Sequence, residues 1–348
     1  MSLTLDIGPF LEKARQYPVI DVRSPGEFAH GHIPGAHNIP LFSNEERARV
    51  GTLYKQKGRQ EAIAEGLEIV GPKLRSLVDQ ALGLAVDNQA LVHCWRGGMR
   101  SANFAWLLNT CGIKTSTLVK GYKAYRNHVL DAFRRPAQLL VLGGETGSGK
   151  TEILRHLAAM GEQVVDLERL ARHKGSSFGA LGEKEQPGTE QFENDLFTEW
   201  DQLDLTRRVW VEDESKSIGR VYLPDGLWDK MKLAPIVRIR LPKKKRIERL
   251  VQEYGKFEKK DLEAALVRIE RRLGGQAFKE SLEALQRNDL AAVAGLTLHY
   301  YDKAYNHAHE KRKFDKVYFV DSDTAHAGAN AERIRAFVND KLETVEAV

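Results

Sequence analysis

Two cysteines in 348 residues, Cys94 and Cys111, are too few for a disulfide framework or a four-cysteine metal site. They point to free thiols in a reducing compartment. No uninterrupted apolar stretch approaches the roughly 20 residues that a spanning helix requires, and the mean hydropathy is −0.43. The N-terminus, MSLTLDIGPFLEK, carries acids where a secretory leader would carry bases and then an apolar run. These absences predict a cytoplasmic location and no membrane partner. No internal repeat is present. At 42% hydrophobic and 29% charged residues, the composition excludes collagen-like, low-complexity and wholly disordered chains.

The length predicts two domains at roughly 100–200 residues each. The net charge is +5, mildly basic and compatible with an anionic partner. Short β-rich runs at 18–22, 90–93 and 117–119 alternate with helical spacing at 44–85 and 101–110. Ser24-Pro25-Gly26 reads as a break, and Glu27 to Pro40 as turns and loop. Arg134-Arg135-Pro136 marks the boundary, giving domains at 1–135 and 136–348. Beyond it, Leu139-Leu140-Val141-Leu142 is an all-apolar run of the kind found in a central parallel strand. Further strands are expected at 163–166, 208–211, 236–241 and 316–320, with helices between them, notably 150–159 and 244–254. Residues 255–315 are charged and mostly helical. The expected fold is α/β in both domains, the second built on a parallel sheet.

Gly144, Glu145, Thr146, Gly147, Ser148, Gly149, Lys150 and Thr151 match G-x-x-x-x-G-K-[ST] in full, after an expected strand and at the start of an expected helix. The glycines let backbone N–H groups turn inward around an anion, and the helix N-terminus adds favourable potential. Lys150 brings a point charge to the terminal phosphates, and Thr151 brings a hydroxyl suited to a metal ion. Val209-Trp210-Val211 leads into Glu212-Asp213-Glu214, which makes Asp213 the acidic candidate beside the loop. Magnesium would suit these oxygens, but the sequence demands no cofactor and shows no dedicated metal site. A diphosphate on any substrate fits such a loop as well as a nucleotide does.

Cys94 opens a second loop, Cys94-Trp95-Arg96-Gly97-Gly98-Met99-Arg100, between a buried strand and a helix. A thiol at a helix N-terminus, among backbone N–H groups and two arginines, should have a lowered pKa. The same ring can hold an anion or a charged sulfur or selenium on the thiol. Cys94 to Arg100 is also the C-x5-R spacing of cysteine-dependent phosphatases. Cys111, by contrast, is expected to be a structural thiol on the apolar face of the following helix.

Asp21-Val-Arg-Ser-Pro-Gly-Glu-Phe-Ala-His-Gly-His-Ile-Pro-Gly-Ala-His-Asn-Ile-Pro40 closely resembles the N-terminal signature of rhodanese domains. The Cys94 loop and Gly121-Tyr122 lie where that family places its active site and its end. The loop is one residue longer than in sulfur-transferring rhodaneses and is similar to that of phosphatase and arsenate-reductase relatives, which accommodate a tetrahedral oxyanion. With Gly144–Thr151 and His173-Lys-Gly-Ser-Ser-Phe-Gly179, the whole chain resembles the bacterial tRNA 2-selenouridine synthase family, a rhodanese-like domain followed by a P-loop NTPase-like domain. The resemblance implies alkylation of the 2-thio sulfur of a tRNA wobble uridine by geranyl diphosphate. Selenium from selenophosphate then replaces the geranylthio group. It further implies that Gly144–Thr151 bind the diphosphate, that Trp95–Arg100 hold selenophosphate, and that Cys94 carries selenium as a selenylsulfide. One rival is a sulfurtransferase or phosphatase fused to an ATP-using kinase. Another is a non-catalytic RNA-binding or redox-sensing protein.

Residues 238–260 hold ten Lys/Arg against three Glu. Lys243, Lys244, Lys245, Arg246 and Arg249 are the tRNA-phosphate contacts expected there, with a solvated helix face as the alternative. Tyr300, Tyr301, Tyr305, His307 and His309, followed by Lys311-Arg312-Lys313, suit either helix packing or base stacking. His173 to Gly182 reads as a substrate loop or an ordinary surface loop. Asp21 and Arg23 read as a structural pair that fixes neighbouring loops.

Overall fold

A computed structural model describes residues 3–176, 178–312 and 316–342, with the side chains of 306–312 outside the description. The chain forms two compact units, Met1–Ala132 with Glu193–Asp195, and Phe133–Phe192 with Leu196–Val348.

The first unit contains β1 (Leu3–Leu5), α1 (Ile7–Ala14), β2 (Val19–Asp21), α2 (Pro25–His30), β3 (His37–Asn38), α3 (Asn44–Gln56), α4 (Arg59–Val70), α5 (Leu74–Leu84), β4 (Gln89–His93), α6 (Met99–Thr110), β5 (Lys114–Leu118) and α7 (Gly121–Ala132). Its five strands are parallel in the order β1-β5-β4-β2-β3. Ile20, Val22, Val92, Leu77, Phe104 and Leu108 meet in its core. Asp87 and Asn88 both adopt positive φ, 49° and 56°, in the tight turn that launches β4.

Two expectations are corrected here. Glu27 to Pro40 is not all loop, because Pro25–His30 is helical. Ser24 caps it, accepting from the Glu27 N–H while the Glu27 carboxylate accepts from the Ser24 N–H. The apparent break is a capping box with Pro at the first turn. Cys111 is exposed. Ser101, Phe104, Ala105 and Leu108 form the buried stripe of α6, but the helix ends at Thr110. The chain then turns through Gly112 at φ 90°, so the thiol leaves the stripe that helical spacing would have continued.

The second unit contains β6 (Gln138–Gly144), α8 (Lys150–Ala159), β7 (Gln163–Val165), α9 (Leu167–Ala171), α10 (Thr189–Trp200), β8 (Arg208–Glu212), the hairpin β9 (Ser217–Ile218) and β10 (Val221–Tyr222), α11 (Asp225–Leu233), β11 (Ile236–Arg240), α12 (Lys243–Tyr254), α13 (Lys259–Leu273), α14 (Gly275–Gln286), α15 (Leu290–Arg312), β12 (Val317–Asp321) and α16 (Ala327–Lys341). Its sheet is parallel, in the order β12-β11-β6-β8-β7. The centre strand β6 is buried from Leu139 to Gly144, as its unbroken apolar run requires when helices cover both faces. Leu140, Leu142, Ile153, Leu157, Trp210 and Ile239 form the sheet core. A separate helical core gathers Leu262, Leu266, Ile269, Leu285 and Val293 with Phe178. Among the described residues no helix is long and apolar enough to cross a membrane.

Candidate functional site

β4 delivers Cys94 to the floor of a loop whose rim, Arg96 to Met99, is exposed while Cys94 itself is buried. The carbonyl oxygens of Cys94 and Trp95 accept hydrogen bonds from the Tyr122 and Lys123 N–H groups at 2.8 and 3.0 Å, pinning the loop to the start of α7. Gly121 makes that approach possible. Its φ is 56°, and a β-carbon there would lie 2.2 Å from the Cys94 carbonyl oxygen. The Ser101 hydroxyl, in the first turn of α6, lies 3.2 Å from Cys94 Sγ. Burial pushes the Cys94 thiol up, but hydrogen bonds from the Ser101 hydroxyl and N–H, the charge of Arg100 and the Arg96 N–H outweigh it and hold the thiol below its ordinary value. Arg100 is itself held by Glu27 at 3.1 Å.

A buried ion pair steadies the end of β2 beside this loop. Asp21 accepts from Arg23 Nη2 at 2.6 Å and from the Arg23 N–H at 2.9 Å, and both side chains are fully buried. The Arg23 guanidinium also donates to the Gly31 carbonyl at 2.7 Å and lies 3.8 Å from the Tyr122 ring centre. Beyond the pair itself, these contacts go to a loop and to α7, which makes the pair a brace.

In the second unit, β6 runs into the loop 144–149, and Gly149 at φ 82° caps α8. Lys150 Nζ reaches back to the Gly144 carbonyl at 3.2 Å. Ser148 Oγ is buried with no hydrogen-bond partner among the described residues, a vacancy in its bonding that a phosphate oxygen would fill. Thr151 Oγ1 donates to Glu168 Oε2 at 2.8 Å. Glu168 shares a hydrogen bond with Glu214; burial, with a smaller push from the charge of Asp166, holds the Glu168 carboxyl above its ordinary value, and burial with the charge of Glu168 pushes Glu214 up to about 8. Asp213, at the end of β8, accepts from the Tyr305 hydroxyl at 2.9 Å. Among the described residues no three His, Cys, Asp or Glu side chains are grouped to hold a metal. Magnesium in phosphate loops takes one or two protein oxygens and completes its shell from phosphates and water, and the Thr151 hydroxyl and Glu168 carboxylate are donors of that kind.

A narrow apolar slot reaches the same loop. Its lining includes Thr146 of the loop, Phe178, Leu250 and Tyr254 of α12, and Ala294 and Tyr301 of α15. Its cavity volume is about 50 Å³. A volume that small, between apolar walls, is a slot rather than an open bowl. The segment from His173 to Gly182 joins slot and acids. Ser176 and Phe178 line the slot, while a β-carbon on Gly175 would lie 2.7 Å from the Glu214 carboxylate oxygens.

Residues 137–333 match the tRNA 2-selenouridine synthase AAA domain, and residues 10–128 match the rhodanese-like domain. The tRNA 2-selenouridine synthase of Aeromonas salmonicida is 37% identical over 328 residues, covering 83% of this chain and 86% of that protein. That of Sulfurovum sp. is 35% identical, covering 93% of this chain and 94% of that protein. The chain belongs to the tRNA 2-selenouridine synthase family. Its two loops, thiol and phosphate, are therefore those of a selenouridine synthase-type pairing of a rhodanese-like domain with a P-loop domain.

Within this selenouridine synthase framework the basic stretch divides. Lys243 and Lys244 are exposed and Lys245 pairs with Glu248 at 3.0 Å. Arg246 is buried, its guanidinium shared among Asp302, Glu145 and the Thr146 carbonyl, so it faces the phosphate loop and not solvent. Arg249 pairs with Glu152 and lies over Gly149, 3.2 Å from where a β-carbon would be. Tyr301 lines the slot and Tyr305 contacts the loop. The side chains of His307, His309, Lys311 and Arg312, and all of Lys313, lie outside the described residues. Sequence reading missed Glu168, Glu214 and the slot. Glu168 follows the end of β7 by three residues, and a carboxylate just after a strand of the phosphate-loop sheet was the available signal.

Proposed function

We propose that this chain acts on tRNA in the cytoplasm in two stages. A geranyl group is first transferred from geranyl diphosphate to the sulfur of a wobble 2-thiouridine. The Cys94 thiolate then takes selenium from selenophosphate as phosphite leaves; the selenylsulfide attacks C2 as geranylthiolate leaves, and an external dithiol reduces the S–Se bond to free the selenouridine and restore the thiol. The observation that carries the reading is the thin apolar slot ending at Thr146. A nucleotide would bring a flat polar base to such a loop, whereas a prenyl diphosphate brings a hydrocarbon tail that a slot of this lining buries.

The roles follow from the residues. The loop amides, Lys150 and the Ser148 hydroxyl hold the diphosphate as it leaves. A magnesium ion, when bound, would be held by Thr151 and Glu168 and would neutralise charge on that leaving group. Alkylation turns sulfur into a leaving group and makes C2 of the base electrophilic. Trp95 to Arg100 form the cradle for the tetrahedral selenophosphate anion, and the lowered thiol pKa keeps Cys94 nucleophilic. Lys243 and Lys244 are the exposed cations offered to tRNA phosphates.

The test supplies each stage separately, with and without ATP. Lys150→Ala is expected to abolish geranylation of thiolated tRNA and to spare selenation of tRNA already geranylated. Strict ATP dependence with no geranylated intermediate would overturn the reading in favour of a kinase fusion.

A further inference from the structure

Two side chains, the buried Arg246 and the half-buried Tyr305, tie the walls of the slot to the phosphate loop. On α12, Arg246 grips Asp302 of α15 with Nη1 at 2.7 Å and Nη2 at 2.9 Å. The same guanidinium donates to the Thr146 carbonyl at 3.2 Å and pairs with Glu145 at 3.1 Å. On α15, the Tyr305 hydroxyl accepts from the Gly144 N–H at 2.9 Å and donates to Asp213 at 2.9 Å, with the Arg238 guanidinium 4.6 Å from its ring centre. Gly144, Glu145 and Thr146, the first three residues of the loop, are thus each held by a side chain from a slot wall. Gly147 completes the contact. A β-carbon there would lie 3.0 Å from Leu250 Cγ and 3.2 Å from the Arg246 carbonyl oxygen, so the loop backbone rests directly on α12.

The same two helices line the slot one turn further on. Leu250 and Tyr254 follow Arg246 at intervals of four on α12, and Tyr301 precedes Tyr305 by four on α15, which places each pair on one helix face. A ligand that presses the slot walls into one arrangement therefore also sets the loop, and an anion that orders the loop sets the walls.

We propose that Arg246 and Tyr305 are positioning residues that couple slot and loop, so that an apolar chain in the slot and a diphosphate in the loop tighten each other's binding. This rests on the geranyl diphosphate reading. In a split substrate the coupling is a linkage between two ligands and is reciprocal. In the joined substrate it lets the tail help orient the departing diphosphate.

The experiment measures the dissociation constant of inorganic diphosphate by calorimetry on the full chain, with and without saturating geraniol. Geraniol is expected to tighten diphosphate binding by about fivefold or more, the lower end of ordinary site-to-site coupling. In Tyr305→Phe, which keeps the ring and removes the hydroxyl, and in Arg246→Lys, which keeps the charge and loses the fork, that factor should fall to within about twofold of unity. A merely structural role would lower the melting temperature or the active fraction and leave the ratio unchanged, and an unchanged ratio in both variants overturns the proposal. Geranyl transfer by the unaltered chain is assayed alongside. Transfer without any geraniol effect on diphosphate sinks the coupling alone, whereas failure to transfer geranyl or bind diphosphate sinks the parent reading and the coupling together.

Discussion

Ser101 Oγ lies 3.2 Å from Cys94 Sγ and 3.2 Å from the Gly98 carbonyl oxygen, at the point where the thiol loop becomes helix. The hydroxyl favours the thiolate over the thiol, against the burial that opposes charge. A depressed pKa leaves thiolate present at pH values where a free thiol is protonated. With Cys111→Ser as background, iodoacetamide labelling of Cys94 should therefore reach half its maximal rate below the usual thiol range. Ser101→Ala should move that midpoint upward and slow labelling at neutral pH. A midpoint indifferent to Ser101 would remove the hydroxyl from this account.

Replacing the two thiols should have unequal effects. Cys94→Ser is expected to abolish selenium incorporation, because a hydroxyl cannot carry selenium as a selenylsulfide. Cys111 is exposed, so Cys111→Ser should change stability by no more than about 0.5 kcal/mol and leave turnover intact. Denaturant melts and nucleoside mass spectrometry of product tRNA check both. Equal loss of turnover in two folded variants would contradict the assignment.

Asp21→Asn should destabilise the first unit by roughly 3–5 kcal/mol, since it strands the buried Arg23 charge. Burial opposes charge on Asp21, but the His93 ring nearby and the hydrogen bonds and charge of Arg23 prevail and hold its carboxyl below the ordinary value. The stabilisation is therefore complete above the usual carboxylate range and fades as pH falls through the depressed folded-state value. Urea titrations at neutral and acid pH should show the gap between the two proteins closing on the acid side. A gap that widened there would reverse the sign.

Filling the slot should separate tail from head. Ala294, buried on α15, lines it. Ala294→Phe is expected to raise the KM for geranyl diphosphate about tenfold or more, as lost apolar burial of about 1.4 kcal/mol or more would. Inhibition by inorganic diphosphate should not weaken, because the loop amides and Lys150 are untouched. Parallel losses for both ligands in a folded variant would place the tail elsewhere.

Signals that are local in sequence survived translation into structure. The run Leu139 to Leu142 is a buried centre strand because four consecutive apolar residues suit a sheet covered on both faces. Gly144 to Thr151 lies between strand and helix because glycines and a helix N-terminus make an anion loop wherever they follow a strand. Where two local rules competed, the reading failed. Ser24-Pro25-Gly26 satisfies both a turn and a helix start, and Glu27 three residues after Ser24 decided for the helix. Cys111 sat at the right interval for the buried stripe of α6, but the helix stopped one residue earlier.

Charge and chemistry at single residues were legible from the sequence alone, including a thiol among arginines and a lysine after glycine. Partners distant along the chain were not. Arg246 reads as one of several cations on a basic helix, and only packing against Asp302, 56 residues away, turns it inward. Tyr305 reads as one of a run of aromatics until its hydroxyl meets Gly144, 161 residues earlier. The slot belongs to no motif, because its lining is contributed by four separate segments and the phosphate loop. Hydrophobic spacing says that a face will be buried, and only the fold decides whether neighbouring side chains or a ligand cover it.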